Sequence, residues 1–132
     1  MAPLAVETAR PNRWFQVGRG LLILAALAAA AAGAGAIGEV AGAGPEALIA
    51  QTWRMYGLFL CAGLFGVLAW RPDTHVSVWT LLIANKAALT VTAVAYLAAG
   101  GAPGAAETAA WDGALTAVLV LAFLTTRRRT SG

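Results

Sequence analysis

Histidine and cysteine each occur once, as His75 and Cys61, and only 11% of the residues are Asp, Glu, Lys or Arg. A soluble domain carries roughly 25% charge, so this chain cannot clothe a water-facing surface, and the bilayer is its expected solvent. A single cysteine excludes an intramolecular disulfide, a CxxC redox pair and a thiolate metal site. The quinone-coupled disulfide chemistry of some four-helix membrane oxidoreductases is excluded with them. A single histidine excludes bis-histidine haem ligation within the chain and argues against a histidine zinc site. No metal and no cofactor are expected. Period-2 alternation of apolar and polar residues is also missing, which argues against a membrane β-barrel.

What is present is apolar and small. Hydrophobic residues make up 60% of the 132-residue chain, dominated by Ala and Leu, with 15 Gly beside them. That composition suits helices packed closely through small side chains. Four apolar runs stand at about 17–40, 46–70, 76–99 and 104–126, each of roughly 20 residues or more, enough to cross a ~30 Å hydrocarbon core. Pro45 suits a first helical turn, Arg71-Pro72-Asp73 ends the second run, and Gly100-Gly101 ends the third. The expected fold is all-α: a polytopic integral membrane four-helix bundle, one domain over residues 1–132, with short tails at 1–16 and 127–132.

Flanking charge orients the spans. Arg10, Arg13 and Arg19 precede the first run, Arg71 lies between the second and third, and Arg127, Arg128 and Arg129 follow the fourth. The other two loops hold Glu39, Glu46 and Glu107 with no Lys or Arg. Both termini are therefore expected in the cytoplasm of a bacterial-type inner membrane, with Trp14, Phe15, Trp70 and Trp79 as interfacial anchors at that boundary. A net charge of +3 spread over membrane flanks points to no nucleic-acid partner. The basic leader, LLILAALAAAAA and Ala34-Gly35-Ala36 could form a cleaved secretory signal; the leader is long for one, and an uncleaved first helix is expected.

Three ionisable residues stand inside the spans. Arg54, Lys86 and Asp112 each cost about 2.5–3.5 kcal/mol at bilayer depth, so a partner, water or ligand must compensate them. Counting along the helices puts Lys86 near mid-membrane, Arg54 about four residues, or ~6 Å, outward of its span's midpoint and Asp112 about three to four residues outward. Helical spacing gives Asp112 the company of Thr108 and Thr116, Lys86 that of Thr90 and Trp79, and Arg54 that of Ala50, Gly57 and Cys61. Gln51, Trp53, Tyr56, Asn85, Glu107 and Trp111 add polar and aromatic groups at similar depth. Arg54 and Asp112 are expected to pair, since a guanidinium matches a carboxylate bidentately, leaving the deeper Lys86 for an incoming anion. Two cations against one anion leave a surplus charge unless Glu39, Glu46 or Glu107 folds inward.

The expected function is an outer-half polar pocket that binds or converts a small lipophilic, anionic or carbonyl-bearing molecule. As an enzyme, an isomerase or cyclase for instance, it would use Asp112 as acid or base and Arg54 and Lys86 to hold an oxyanion. The alternatives are a non-enzymatic accessory or structural subunit whose charges form an interhelical ion-pair network, and a small transporter or proton path. In length the chain is comparable to the small four-helix multidrug exporters, but their essential glutamate lies in the first span, and Leu21–Gly38 has no ionisable residue. A holin-like pore would not need buried charges of both signs at matched depth. The expected partners are the lipid bilayer, a lipophilic small molecule and further copies of the chain through its Gly and Ala faces.

Overall fold

Helix starts and stops fall where local chemistry puts them. Asn12 caps the first helix, its side-chain oxygen accepting from the Trp14 amide at 3.1 Å. Pro45 occupies the first turn of the second, where a missing N–H costs nothing. His75 caps the third, Nδ1 accepting from the Ser77 amide. Gly100 and Gly101 (φ 114° and 90°) adopt left-handed backbone after the third helix, and Gly104 (φ 80°) does so before the fourth. The computed structural model describes residues 12–73 and 75–127. Within them run α1 (Arg13–Ala41), α2 (Pro45–Trp70), α3 (Val76–Ala98) and α4 (Ala105–Arg127), each long and apolar enough to cross a membrane. The flanking residues Arg10, Arg128 and Arg129 lie outside the described residues.

The first helix begins before the apolar run, because the Asn12 cap precedes Arg13 and the polar leader residues join the helix. Neighbouring helices run antiparallel. α1 packs along α2, with Gly33 against Phe59 and Glu39 reaching Arg54; α3 packs along α4, and α1 along α4. The two hairpins α1–α2 and α3–α4 therefore join through α1 and α4, whereas α2 makes no extensive contact with α3 or α4.

Packing divides the molecule lengthwise. The end carrying the start of α1, the α2–α3 turn and the end of α4 is called here the tail end; the other is the hairpin end. Large buried side chains gather in the tail half: Leu22 on α1, Phe65 and Leu68 on α2, Trp79 on α3 and Leu119 on α4. Trp79 was expected to anchor at the lipid interface. It is fully buried, its indole N–H donating to the Pro72 carbonyl at 3.3 Å and its ring meeting Phe123 edge-on at 5.5 Å. The short turn carries Trp79 over the bundle end rather than away from it. From mid-bundle toward the hairpin end the buried residues are small or charged apart from Leu115, namely Ala29, Gly33, Ala36, Lys86, Ala93, Ala105 and Asp112, and α2 contributes none before Phe65.

Glycine acts at only a few of its positions. A Cβ on Gly18 would lie 2.9 Å from Thr126 Cγ2 and 3.3 Å from the Ala122 carbonyl, so α1 and α4 cross there backbone to backbone. Gly33 lets the Phe59 ring rest on α1, at 3.0 Å from where a Cβ would stand. Gly35, Gly57, Gly63 and Gly66 face open space.

Candidate functional site

The polar site is built where α3 and α4 face each other in the hairpin half. Lys86 on α3 is 5% exposed and Asp112 on α4 is 6% exposed, and Lys86 Nζ donates to Asp112 Oδ1 at 2.9 Å. Lys86 lies seven residues from Trp79, two turns along the same face, so the contact that buries the indole also aims the lysine inward. Asp112 lies three residues before Leu115 and seven before Leu119, both on the buried face of α4. Gly113 faces Thr90 across the two helices, Thr90 Cγ2 lying 3.4 Å from where a Cβ would stand.

Thr90 and Thr116 stand beside the pair without entering it. The Thr90 hydroxyl donates to the Lys86 carbonyl at 2.8 Å, and the Thr116 hydroxyl to the Asp112 carbonyl at 2.7 Å. Each hydroxyl is thus satisfied by its own helix four residues back, as threonine in apolar helices commonly is. Thr108 and Trp111 are partly buried, Trp111 packing against the tail-half core.

Arg54 does not join this pair. It forms an ion pair with Glu39 across α1 and α2, and the two side chains are 49% and 51% exposed. The expectation that Arg54 pairs with Asp112, with Lys86 left free, is corrected: Lys86 is the partner of Asp112. Depth is one coordinate only, and α2, which bears Arg54, has α1 rather than α4 for its neighbour. Glu39, near the end of α1, is the carboxylate within its reach.

Several residues grouped with the pocket turn outward. Tyr56 is exposed because it stands nine residues from Phe65, about two and a half turns, on the opposite side of α2. Trp53 shares that outer side at 78% exposure. Asn85 is exposed, one position round the helix from Lys86, as is Glu107, five residues before Asp112 and therefore on another face. Gln51 is half-buried, and its Oε1 is buried with no hydrogen-bond partner among the described residues. Among the described residues no cluster of three or more His, Cys, Asp or Glu could hold a metal.

Two hollows lie away from the Lys86–Asp112 pair. One of about 230 Å³ sits between α3, α4 and their loop, lined by Leu89, Tyr96, Pro103 and Thr108 among others. It begins about one helical turn toward the hairpin end from Lys86 and Asp112, neither of which lines it. The other, about 290 Å³, lies between α1 and α2 in the tail half. Comparison with protein-family models, with curated proteins and with solved structures finds no match for this chain.

Proposed function

We propose that the chain is a small multi-pass membrane protein with a non-enzymatic, accessory or structural role, in which ion pairs fasten helices. The observation that carries this reading is the closed Lys86–Asp112 pair at 2.9 Å, whose side chains are only 7% and 8% exposed. The surplus cation that favoured an anionic ligand is gone, because Glu39 balances Arg54. Lys86–Asp112 is then the buried clamp across α3 and α4, whereas the half-exposed Glu39–Arg54 pair balances charge across α1 and α2. An uncompensated ion at bilayer depth costs about 2.5–3.5 kcal/mol, so pairing restricts the helices to the one arrangement that meets both charges. The tail end carries Arg13, Arg19, Arg71 and Arg127 against Asp73, and the hairpin end carries Glu39, Glu46 and Glu107 against Arg54. That asymmetry supports cytoplasmic termini in an inner membrane. The open faces at Gly57 and Gly63 leave room for a second copy.

A second reading, the binding of a small lipophilic molecule, is favoured by the 230 Å³ hollow between α3 and α4. Its lining is mostly apolar, with Tyr96, Thr92 and Thr108 as polar points. Turnover of that occupant would need Lys86 as proton donor or Asp112 as proton acceptor across the helical turn that separates the pair from the hollow.

The variant that replaces both charges, Lys86→Met/Asp112→Leu, separates the two. A clamp predicts that the purified double variant unfolds near the wild-type midpoint and that mass spectrometry finds the same bound lipophiles on both proteins. A lipophile held by wild type and lost from a folded double variant would overturn the structural reading in favour of the second.

A further inference from the structure

We propose that the groove between α1 and α2 at the tail end seats an anionic phospholipid, its phosphate on Arg19 and an acyl chain along Ile23, Leu27 and Gly66. This rests on the reading that the four helices cross a membrane. The groove measures about 290 Å³ and is open on one side, with Arg19, Ile23 and Leu27 contributed by α1 and Gly66 and Trp70 by α2. Arg19 is its only charged lining residue, and the other lining residues are apolar apart from the Trp70 indole N–H. Arg19 makes no ion pair or side-chain hydrogen bond to another described residue.

The levels match those of a lipid. Counted from the hairpin connection, Arg19 lies 22 residues back along α1 and Trp70 25 residues along α2, so the cation and the indole stand within about one turn of each other at the tail end. α1 is 29 residues long, about 43 Å, which exceeds the ~30 Å hydrocarbon core and leaves its first turns among headgroups. Ile23 and Leu27 follow Arg19 at intervals of four, one and two turns deeper on the same face. Charge selects the headgroup. The tail end carries four described arginines against Asp73, and guanidinium groups bind phosphate oxygens bidentately. Gly66 keeps the groove open, since a Cβ there would meet nothing within 4 Å.

The test is native mass spectrometry of the detergent-purified protein with phosphatidylglycerol or phosphatidylcholine of identical chains. Wild type should retain phosphatidylglycerol about fivefold more than phosphatidylcholine, the ratio expected of one headgroup contact. Arg19→Gln should abolish that preference, whereas Arg71→Gln should leave it. Gly66→Leu should reduce retention of both lipids while leaving the unfolding temperature unchanged or raised, because leucine fills open space and favours helix. Preference that survives Arg19→Gln, or lipid retention untouched by Gly66→Leu in a folded protein, would overturn the site. Recovery of the chain from the soluble fraction without detergent would instead overturn the membrane reading beneath it.

Discussion

Removing one member of a buried ion pair strands the other, and this sets the expected cost at Lys86 and Asp112. Lys86→Met and Asp112→Leu should each destabilise by about 3–5 kcal/mol in reversible denaturation, while the double variant should lose far less than the sum. Simple additivity would show that the pair is not desolvated as a unit. At Arg54 and Glu39 the side chains are half exposed. Arg54→Ala or Glu39→Ala should therefore cost no more than about 1 kcal/mol in the same measurement. The contrast reverses the order expected from depth alone, in which Arg54 was the costly residue and Lys86 the dispensable one. A loss at Arg54→Ala as large as at Lys86→Met would show that the Arg54 pair is covered in the membrane.

At the scale of the helices, glycine decides which faces meet. Gly18 sits where α1 crosses α4, with Ala122 and Thr126 against it. Gly18→Ala should thus destabilise by about 1–3 kcal/mol through overpacking, although alanine is the better helix former. Gly35→Ala is the control, on the same helix and with nothing within 4 Å of the new Cβ. It should be neutral or stabilise by up to about 1 kcal/mol, and thermal unfolding of the two variants side by side checks both signs. Gly33 and Gly35 stand about 200° apart round α1, so the Gly33-Ala-Gly35 run puts its glycines on opposite sides, and only the fold decides that Gly33 is the one that meets Phe59.

For the whole molecule, the division into a packed tail half and a thinner hairpin half sets where the structure opens first. Hydrogen exchange should be slowest around Leu22, Leu68, Leu82 and Leu119, which lie in the buried tail-half cluster, and faster in α2 before Phe65, which buries no residue. Uniform protection along α2 would show that a partner or second copy covers its outer face. The proposed orientation is checked by cysteine labelling in a Cys61→Ala background. Ala43 and Ala102, in the two hairpin connections, should react with an impermeant reagent from outside, and His75 should not. Reaction at His75 from outside would invert the topology.

The sequence by itself determined the elements. Apolar runs of spanning length, a proline in the first turn of α2 and left-handed glycines around the α3–α4 connection are local signals, because helix formation depends on neighbours within a turn or two. It also marked Lys86 and Asp112, since an ion inside an apolar run is conspicuous whatever surrounds it. Only the tertiary structure decided which charges meet and which faces are hidden. Arg54 and Asp112 lie at similar depth, yet their helices are not neighbours, and Glu39 lies within reach because α1 is. Four nearly all-apolar helices carry little amphipathic signal to say which side faces inward, so Trp53 and Tyr56 read like pocket residues and Trp79 like a surface anchor. The adjacency of helices is a long-range property, and a count along each helix contains depth but not direction.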